Sequence, residues 1–231
     1  MERLRALINN RPVCVLLHGK SIKELEKHIE LFREKDICFA SINNFNILEA
    51  NLLGRIGKRF DIIDCTSPLE FVRKAIDIEK FLSEGEDRLL ISTIEAIRYV
   101  YKGNVFLDKF RERVFITYEP IGADRINSLS MLLPILISGL PSKIFLFGVD
   151  GCKEGVNEKD SYYRADELRN IPRGTRIGID TTLFNKHYQR LQNTHCKGIH
   201  IPPIYNCNPD SHIKVFKKIK YDELVKYIQG V

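Results

Sequence analysis

What most narrows the fold of this chain is a repeated succession: a short apolar run, a polar or glycine-containing turn, then a stretch with helical periodicity. Val13-Cys14-Val15-Leu16-Leu17, bounded by Pro12 and Gly19, is too short for a helix and β-branched enough for a buried strand. Ser21 then stands at an N-cap position with Glu24 three residues later, a capping-box pattern, and Ile22, Leu25, Ile29 and Phe32 line one face of a helix through Lys35. The succession recurs as a strand over 36–42, a helix over 47–56 ending at Gly57, a strand over 60–65 and a helix opening at Pro68, a first-turn position that tolerates proline. Further strands are expected over 88–91 and 114–118, with an ambiguous segment between them. An apolar helix is expected over 128–140 despite Pro134, then a strand over 143–149, a helix over 180–192, an extended stretch over 198–207 and a closing helix over 221–228. Such alternation predicts an α/β fold, a mostly parallel sheet with helices on both faces.

At 231 residues the chain suits one sizeable core, and a single domain is expected over 1–231. Hydrophobic residues at 44% and charged residues at 29% exclude a disordered chain. The net charge of +6 suits a phosphate-bearing ligand, but the basic residues are dispersed and no nucleic-acid module is present, so nucleic acid is not an expected partner. No apolar run approaches the roughly 20 residues that span a bilayer, and Met1-Glu2-Arg3-Leu4-Arg5 lacks the apolar stretch of a secretory signal. A cytoplasmic protein is the expectation. Cys14, Cys38, Cys65, Cys152, Cys196 and Cys207 form no Cys-x-x-Cys pair; they read as buried thiols in a reducing compartment, with no metal-ligand spacing. The sequence is compatible with a homo-oligomer.

In an open α/β sheet, loops leaving the carboxyl ends of strands converge on one crevice, so candidate site residues are sought there. Gly19-Lys20-Ser21 has the ending of a phosphate-binding loop without its first glycine, since Cys14 stands five positions earlier. A phosphate over this turn, with charge from Lys20, and an ordinary turn with a capping serine are both open readings. Asn43 and Asn44 follow the second strand, with amides suited to a base or sugar edge or simply to a turn. Gly148-Val149-Asp150-Gly151 sets a carboxylate at a strand end between glycines, able to hold a hydroxyl or a divalent metal or merely to turn the chain. From 150 to 175 a long polar stretch reads as a lid-like insertion, in which Tyr162, Tyr163 and Arg164 could clamp an acceptor, phosphate or carboxylate. Asp180 is either a helix N-cap or a general base.

Taken in order, these runs resemble the Rossmann-like bacterial sialyltransferases that use CMP-sialic acid, and more loosely the 6-hydroxymethylpterin pyrophosphokinase-like proteins. Leu17-His18-Gly19-Lys20-Ser21-Ile22 is similar to that family's Gly-Asn-Gly-Pro-Ser-Leu turn, and Asn43-Asn44-Phe45 to its Asn-containing second loop. Phe147-Gly148-Val149-Asp150 is similar to its Ser-Gly-Ile-Asp strand end, and Cys207-Asn208-Pro209-Asp210-Ser211 to its Cys-Pro-Asn-Ser segment. The resemblance implies a nucleotide in the crevice, with Gly19, Ser21 and Asn43 near phosphate and ribose, Ser128 near the base, and His18, Lys20, Asn44 and Gly148 beside them. The family's Thr-Ser-Gly run is here Asn127-Ser128-Leu129, and its general-base histidine has no counterpart because the matching stretch reads Ile177-Gly178-Ile179-Asp180. Asp180, with Asp150, then becomes the candidate catalytic carboxylate.

The leading expectation is a glycosyltransferase-like enzyme that moves a sugar from a nucleotide-sugar donor to a glycan or other acceptor hydroxyl and requires no cofactor. A Mg²⁺-dependent pyrophosphokinase-like phosphotransferase and a non-catalytic nucleotide- or glycan-binding module are the alternatives.

Overall fold

The computed structural model describes residues 1–43, 48–99, 103–117, 128–151, 185–186, 188–189 and 201–229. The strands are β1 (Pro12–Leu16), β2 (Cys38–Ile42), β3 (Ile62–Asp64), β4 (Leu89–Thr93), β5 (Val114–Thr117), β6 (Lys143–Phe147), β7 (Ile204–Asn206) and β8 (Lys217–Lys218). The helices are α1 (Glu2–Ile8), α2 (Ile22–His28), α3 (Leu48–Gly54), α4 (Pro68–Ser83), α5 (Ile94–Arg98), α6 (Gly103–Phe110), α7 (Ser128–Ser138) and α8 (Tyr221–Gln229). Among the described residues the strands form one eight-stranded sheet in the order β5-β4-β3-β2-β1-β6-β7-β8, and every neighbouring pair is parallel.

Parallel strands need crossover connections, and these are almost always right-handed. From β1 the sheet grows in one direction to β5, so the intervening helices share one face. The step to β6 reverses direction and carries α7 to the opposite face. The core divides accordingly. Cys14 and Leu16 of β1 join the cluster of Ile22, Leu25, Leu53, Phe71, Phe81 and Ile97 on one face. Val13 and Val15 join Leu4, Ile8, Leu129, Leu132 and Leu136 on the other. That is the period-two alternation of a strand buried on both sides. Phe32 meets Phe39 and Phe147 edge-on, with ring centroids 6.1 and 5.9 Å away, and this anchors the ends of β2 and β6 against the turn that follows α2.

The structure bears out the expected α/β class and the helices on both faces. It also refines several elements. The ambiguous segment before β5 holds α5 and α6; Thr93 caps α5, its hydroxyl accepting from the Ala96 N–H at 3.1 Å. The helix expected through Lys35 gives way to a 3-10 turn over Ile29–Phe32, and α1, which precedes the first strand, was not anticipated. Pro134 lies inside α7, whose buried face of leucines offsets the lost backbone bond. The capping box at Ser21 does not form, because the Ser21 side chain is drawn to another partner described below.

Cys14, Cys38, Cys65 and Cys207 are free and buried, and burial pushes each thiol above its ordinary pKa, which makes them inert packing groups. Lys217 and Lys218, exposed on the outermost strand, guard that edge with charge. Among the described residues no helix is long and apolar enough to cross a membrane.

Candidate functional site

Strand order reverses at β1, which has β2 on one side and β6 on the other. In open α/β sheets ligands bind outside the carboxyl ends of the strands at such a point. The loops after β1 and β6 run side by side there, the Leu17 N–H donating to the Phe147 carbonyl at 2.9 Å and the Gly19 N–H to the Gly148 carbonyl at 3.0 Å. Gly148 has φ of +72°, and a Cβ on it would strike the Leu17 carbonyl, so only glycine allows this approach.

Asp150 ties three loops together at this edge. Its carboxylate accepts the Ser21 N–H at 3.0 Å, the Ser21 hydroxyl, and the Asn208 amide at 2.9 Å. Its carbonyl accepts the His212 N–H at 2.7 Å, and the Ser211 hydroxyl is shared between the Val149 and Asp150 carbonyls at 2.6 and 3.1 Å. The buried Asn206 amide adds a bond to the Val149 carbonyl at 3.0 Å. Turns after β1, β6 and β7 are thereby locked to one carboxylate through charge-assisted hydrogen bonds. One consequence bears on the phosphate expectation: the Ser21 donors already hold an anion, which is the chain's own, and the Gly19 N–H is also engaged. Lys20 is exposed beside them.

A second group of residues lies across β1 from Asp150. His18 Nε2 is 3.1 Å from the Ile42 carbonyl, bridging the first and second loops. Asn43, at φ of +49°, donates its N–H to the Asp64 carbonyl at 2.8 Å and its side-chain amide to the Ser128 hydroxyl, the first residue of α7, at 3.2 Å. Asp64 closes β3 and is fully buried, and burial pushes its carboxyl well above the usual carboxylate range. The Thr66 hydroxyl offsets part of that effect, although among the described residues neither Asp64 oxygen has a partner at hydrogen-bond geometry.

Of the residues singled out in the sequence, Gly19, Ser21, Gly148 and Asp150 belong to one hydrogen-bonded network, and His18, Asn43 and Ser128 to the adjoining one. Asn44, Tyr162, Tyr163, Arg164 and Asp180 lie outside the described residues, as does most of the expected lid. Sequence reasoning assigned no role to Asn206, Asn208, Ser211 or Asp64. Asn208 and Ser211 stand in the polar run after β7, the very signal used for the other loops, whereas Asn206 ends that strand. Asp64 could have been noticed as a lone carboxylate ending the apolar run Ile62-Ile63.

A groove of about 260 Å³ opens at the opposite, amino end of the strands, lined by Arg11, Lys35, Asp36, Lys58 and Asp61 among others. Its charges serve the fold: Arg11 pairs with Asp36 at 2.6 Å, Lys58 donates to the Lys35 carbonyl at 3.2 Å, and Asp61 accepts the Phe39 N–H at 2.8 Å. Ligands of open parallel α/β sheets sit outside the carboxyl ends of the strands, so that edge is the candidate site. Among the described residues no group of three or more His, Cys, Asp or Glu side chains is placed to hold a metal ion.

No family model matches the chain, and no curated protein matches it. Among solved structures it is similar to Cst-I, a monofunctional α-2,3-sialyltransferase from Campylobacter jejuni, with a TM-score of 0.57 and 16% identity over 88% of this chain and 78% of that one. At that identity the likeness is one of fold. It agrees with the all-parallel sheet in making this chain Rossmann-like.

Proposed function

We propose that the crevice beside β1 binds a nucleotide-sugar donor and that the chain is a glycosyltransferase-like enzyme acting on an acceptor hydroxyl. The observation that carries this reading is convergence. Segments far apart in sequence, at 18–21, 43, 128, 148–150 and 206–211, meet at the carboxyl edge of one parallel sheet and are joined there by hydrogen bonds. Similarity of fold to a transferase supports it at the level of architecture.

In this reading the donor phosphate lies on the Lys20 side of the first turn rather than over its amides, because Asp150 already fills the Ser21 donors. Asp150 is then a positioning residue that holds the turn in shape, Ser128 faces the nucleoside, and Asn43 lies between it and the sugar. The acceptor oxygen attacks the anomeric carbon as the bond to the phosphate oxygen breaks. The nucleotide leaves with the electron pair, and the hydroxyl proton passes to a carboxylate, for which Asp180 is the candidate. A base of this kind contributes ~10²–10⁴-fold, so most of the rate acceleration comes from positioning and leaving-group stabilisation.

The test is a thermal-shift screen of CMP, UDP, GDP and ADP, with and without Mg²⁺, followed by transfer assays with sugar donors of the nucleotide that binds. A selective shift followed by metal-independent transfer supports the reading. Transfer of a phosphoryl or pyrophosphoryl group that needs Mg²⁺, or no shift with any nucleotide, rejects it. Asp180→Asn is expected to lower turnover by ~10²-fold or more while leaving nucleotide affinity unchanged.

A further inference from the structure

Under the first turn of α7 the protein leaves hydrogen-bonding atoms unused. Among the described residues, both carboxylate oxygens of Asp64 and the Oδ1 of Asn43 are buried with no partner at hydrogen-bond geometry, the Thr66 hydroxyl only easing the Asp64 charge. Asp64 sits opposite Ile42 on β2 and Ile91 on β4, and alternation along β3 puts its side chain on the same face as Ile62, the face that α7 covers. Asn43 is bound to the same spot from two sides, through the Asp64 carbonyl at 2.8 Å and the Ser128 hydroxyl at 3.2 Å. Thr66 reaches α7 as well, with its hydroxyl 3.9 Å from the Met131 sulfur. The carboxyl ends of β2 and β3 and the start of α7 therefore surround one polar spot, and His18 reaches the end of β2 at the Ile42 carbonyl, one residue before Asn43.

Buried polar groups are nearly always paired, and a cluster that is not paired calls for a specific explanation. Violations of local consistency concentrate at functional sites. The unmet atoms here are chiefly acceptors. An ionised Asp64 with Asn43 offers acceptors only; a protonated Asp64 contributes one donor and still leaves an acceptor on each residue. A hydroxyl or amine brings the hydrogens that these atoms lack. A carboxylate brings only more acceptors, together with a charge that the site has no described cation to meet.

We propose that Asp64 and Asn43 select the group that is transferred: they admit a neutral or amine-bearing sugar through its hydroxyl or ammonium hydrogens and reject one that presents a carboxylate. The proposal rests on the crevice being a nucleotide-sugar site, and it makes Asp64 the specificity determinant within it.

The experiment has two arms on the intact chain. Free CMP, UDP, GDP and ADP establish by thermal shift and calorimetry which nucleotide anchors in the crevice. Matched donors on that nucleotide then differ only in the carboxylate: UDP-glucose against UDP-glucuronic acid, GDP-mannose against GDP-mannuronic acid, or the methyl ester of CMP-sialic acid against the free acid. The wild-type protein is expected to bind the member without the carboxylate about tenfold or more tightly, and Asp64→Asn to bring the two within about threefold. Equal affinities in the wild type, or a preference that Asp64→Asn leaves unchanged, overturn the proposal while leaving the nucleotide site intact. Silence with all four free nucleotides removes the nucleotide reading and this proposal with it. If Asp64→Asn does not fold, as read by circular dichroism, Asn43→Gly, which removes the Oδ1 acceptor and suits φ of +49°, takes its place under the same two criteria.

Discussion

Replacing Asp64 by Asn keeps the shape of the side chain and removes its ability to ionise, so stability measured against pH isolates what the buried carboxyl costs. Burial raises the Asp64 pKa well above its unfolded value, and the partial relief comes from the neutral Thr66 hydroxyl rather than from a cation. Between the unfolded pKa, about 3.9, and the raised folded value, the native state keeps a proton that the unfolded chain has released. Rising pH therefore favours unfolding in that window. The favourable contribution is complete below the unfolded pKa and is lost as pH climbs through the folded one. The slope follows from linkage at about 1.4 kcal/mol per pH unit, which for a chain of this size is roughly 3–6 °C in Tm per unit. Asp64→Asn is expected to lack this slope. Its stability relative to the wild type should grow steadily from about pH 4 upward and then level off once Asp64 ionises in the folded state. Urea denaturation of both proteins across that range reads the difference, in which the other titrating groups cancel, the similarly raised Asp61 among them. A constant offset between the two proteins would falsify the reasoning, because an unpaired amide and an unpaired acid differ in pH dependence even when their pH-independent costs are alike.

The rest of the site yields further expectations. Gly148→Ala forces a side chain into φ of +72° against the Leu17 carbonyl and should lower stability by about 2–4 kcal/mol, seen as a shifted denaturant midpoint; an unmoved midpoint rejects the close approach of the two loops. Ser21→Ala and Asp150→Ala, combined in a double-mutant cycle, should show a coupling of about 1–3 kcal/mol, and additive losses would mean that the two side chains do not act together. Asp180→Asn and the matched-donor comparison, set out above, probe the base and the sugar.

Much of the architecture was legible in the order of residue types. Runs such as Val13–Leu17 and the later Ile144-Phe145-Leu146 are apolar on both faces, and only a strand between two helical layers buries both. The helix at Pro68 announced itself by the proline at its start, and the choice of the carboxyl edge as the candidate site followed from where the glycines and amides fell. Less legible were choices that depend on competition between partners. Ser21 and Glu24 have the spacing of a capping box, yet Asp150, 129 residues away, takes the serine N–H and hydroxyl while Glu24 is held by Lys27 and His28. Asn208 and Ser211 drew no assignment because their partners are a carboxylate and a carbonyl brought near only by the placement of β7 beside β6.

The amino-acid order by itself determined the period-two burial, the helical stripes and therefore the class of fold, because those depend on how each short segment hides its own apolar surface. Tertiary structure alone decided that β1 stands at the point of reversal, that α7 crosses to the opposite face, and that the Asp64 carboxyl and the Asn43 Oδ1 end up buried without a partner among the described residues. Right-handed crossovers act on the whole sheet rather than on any one segment, and an unsatisfied atom is defined by what surrounds it in space, which no local run of residues encodes.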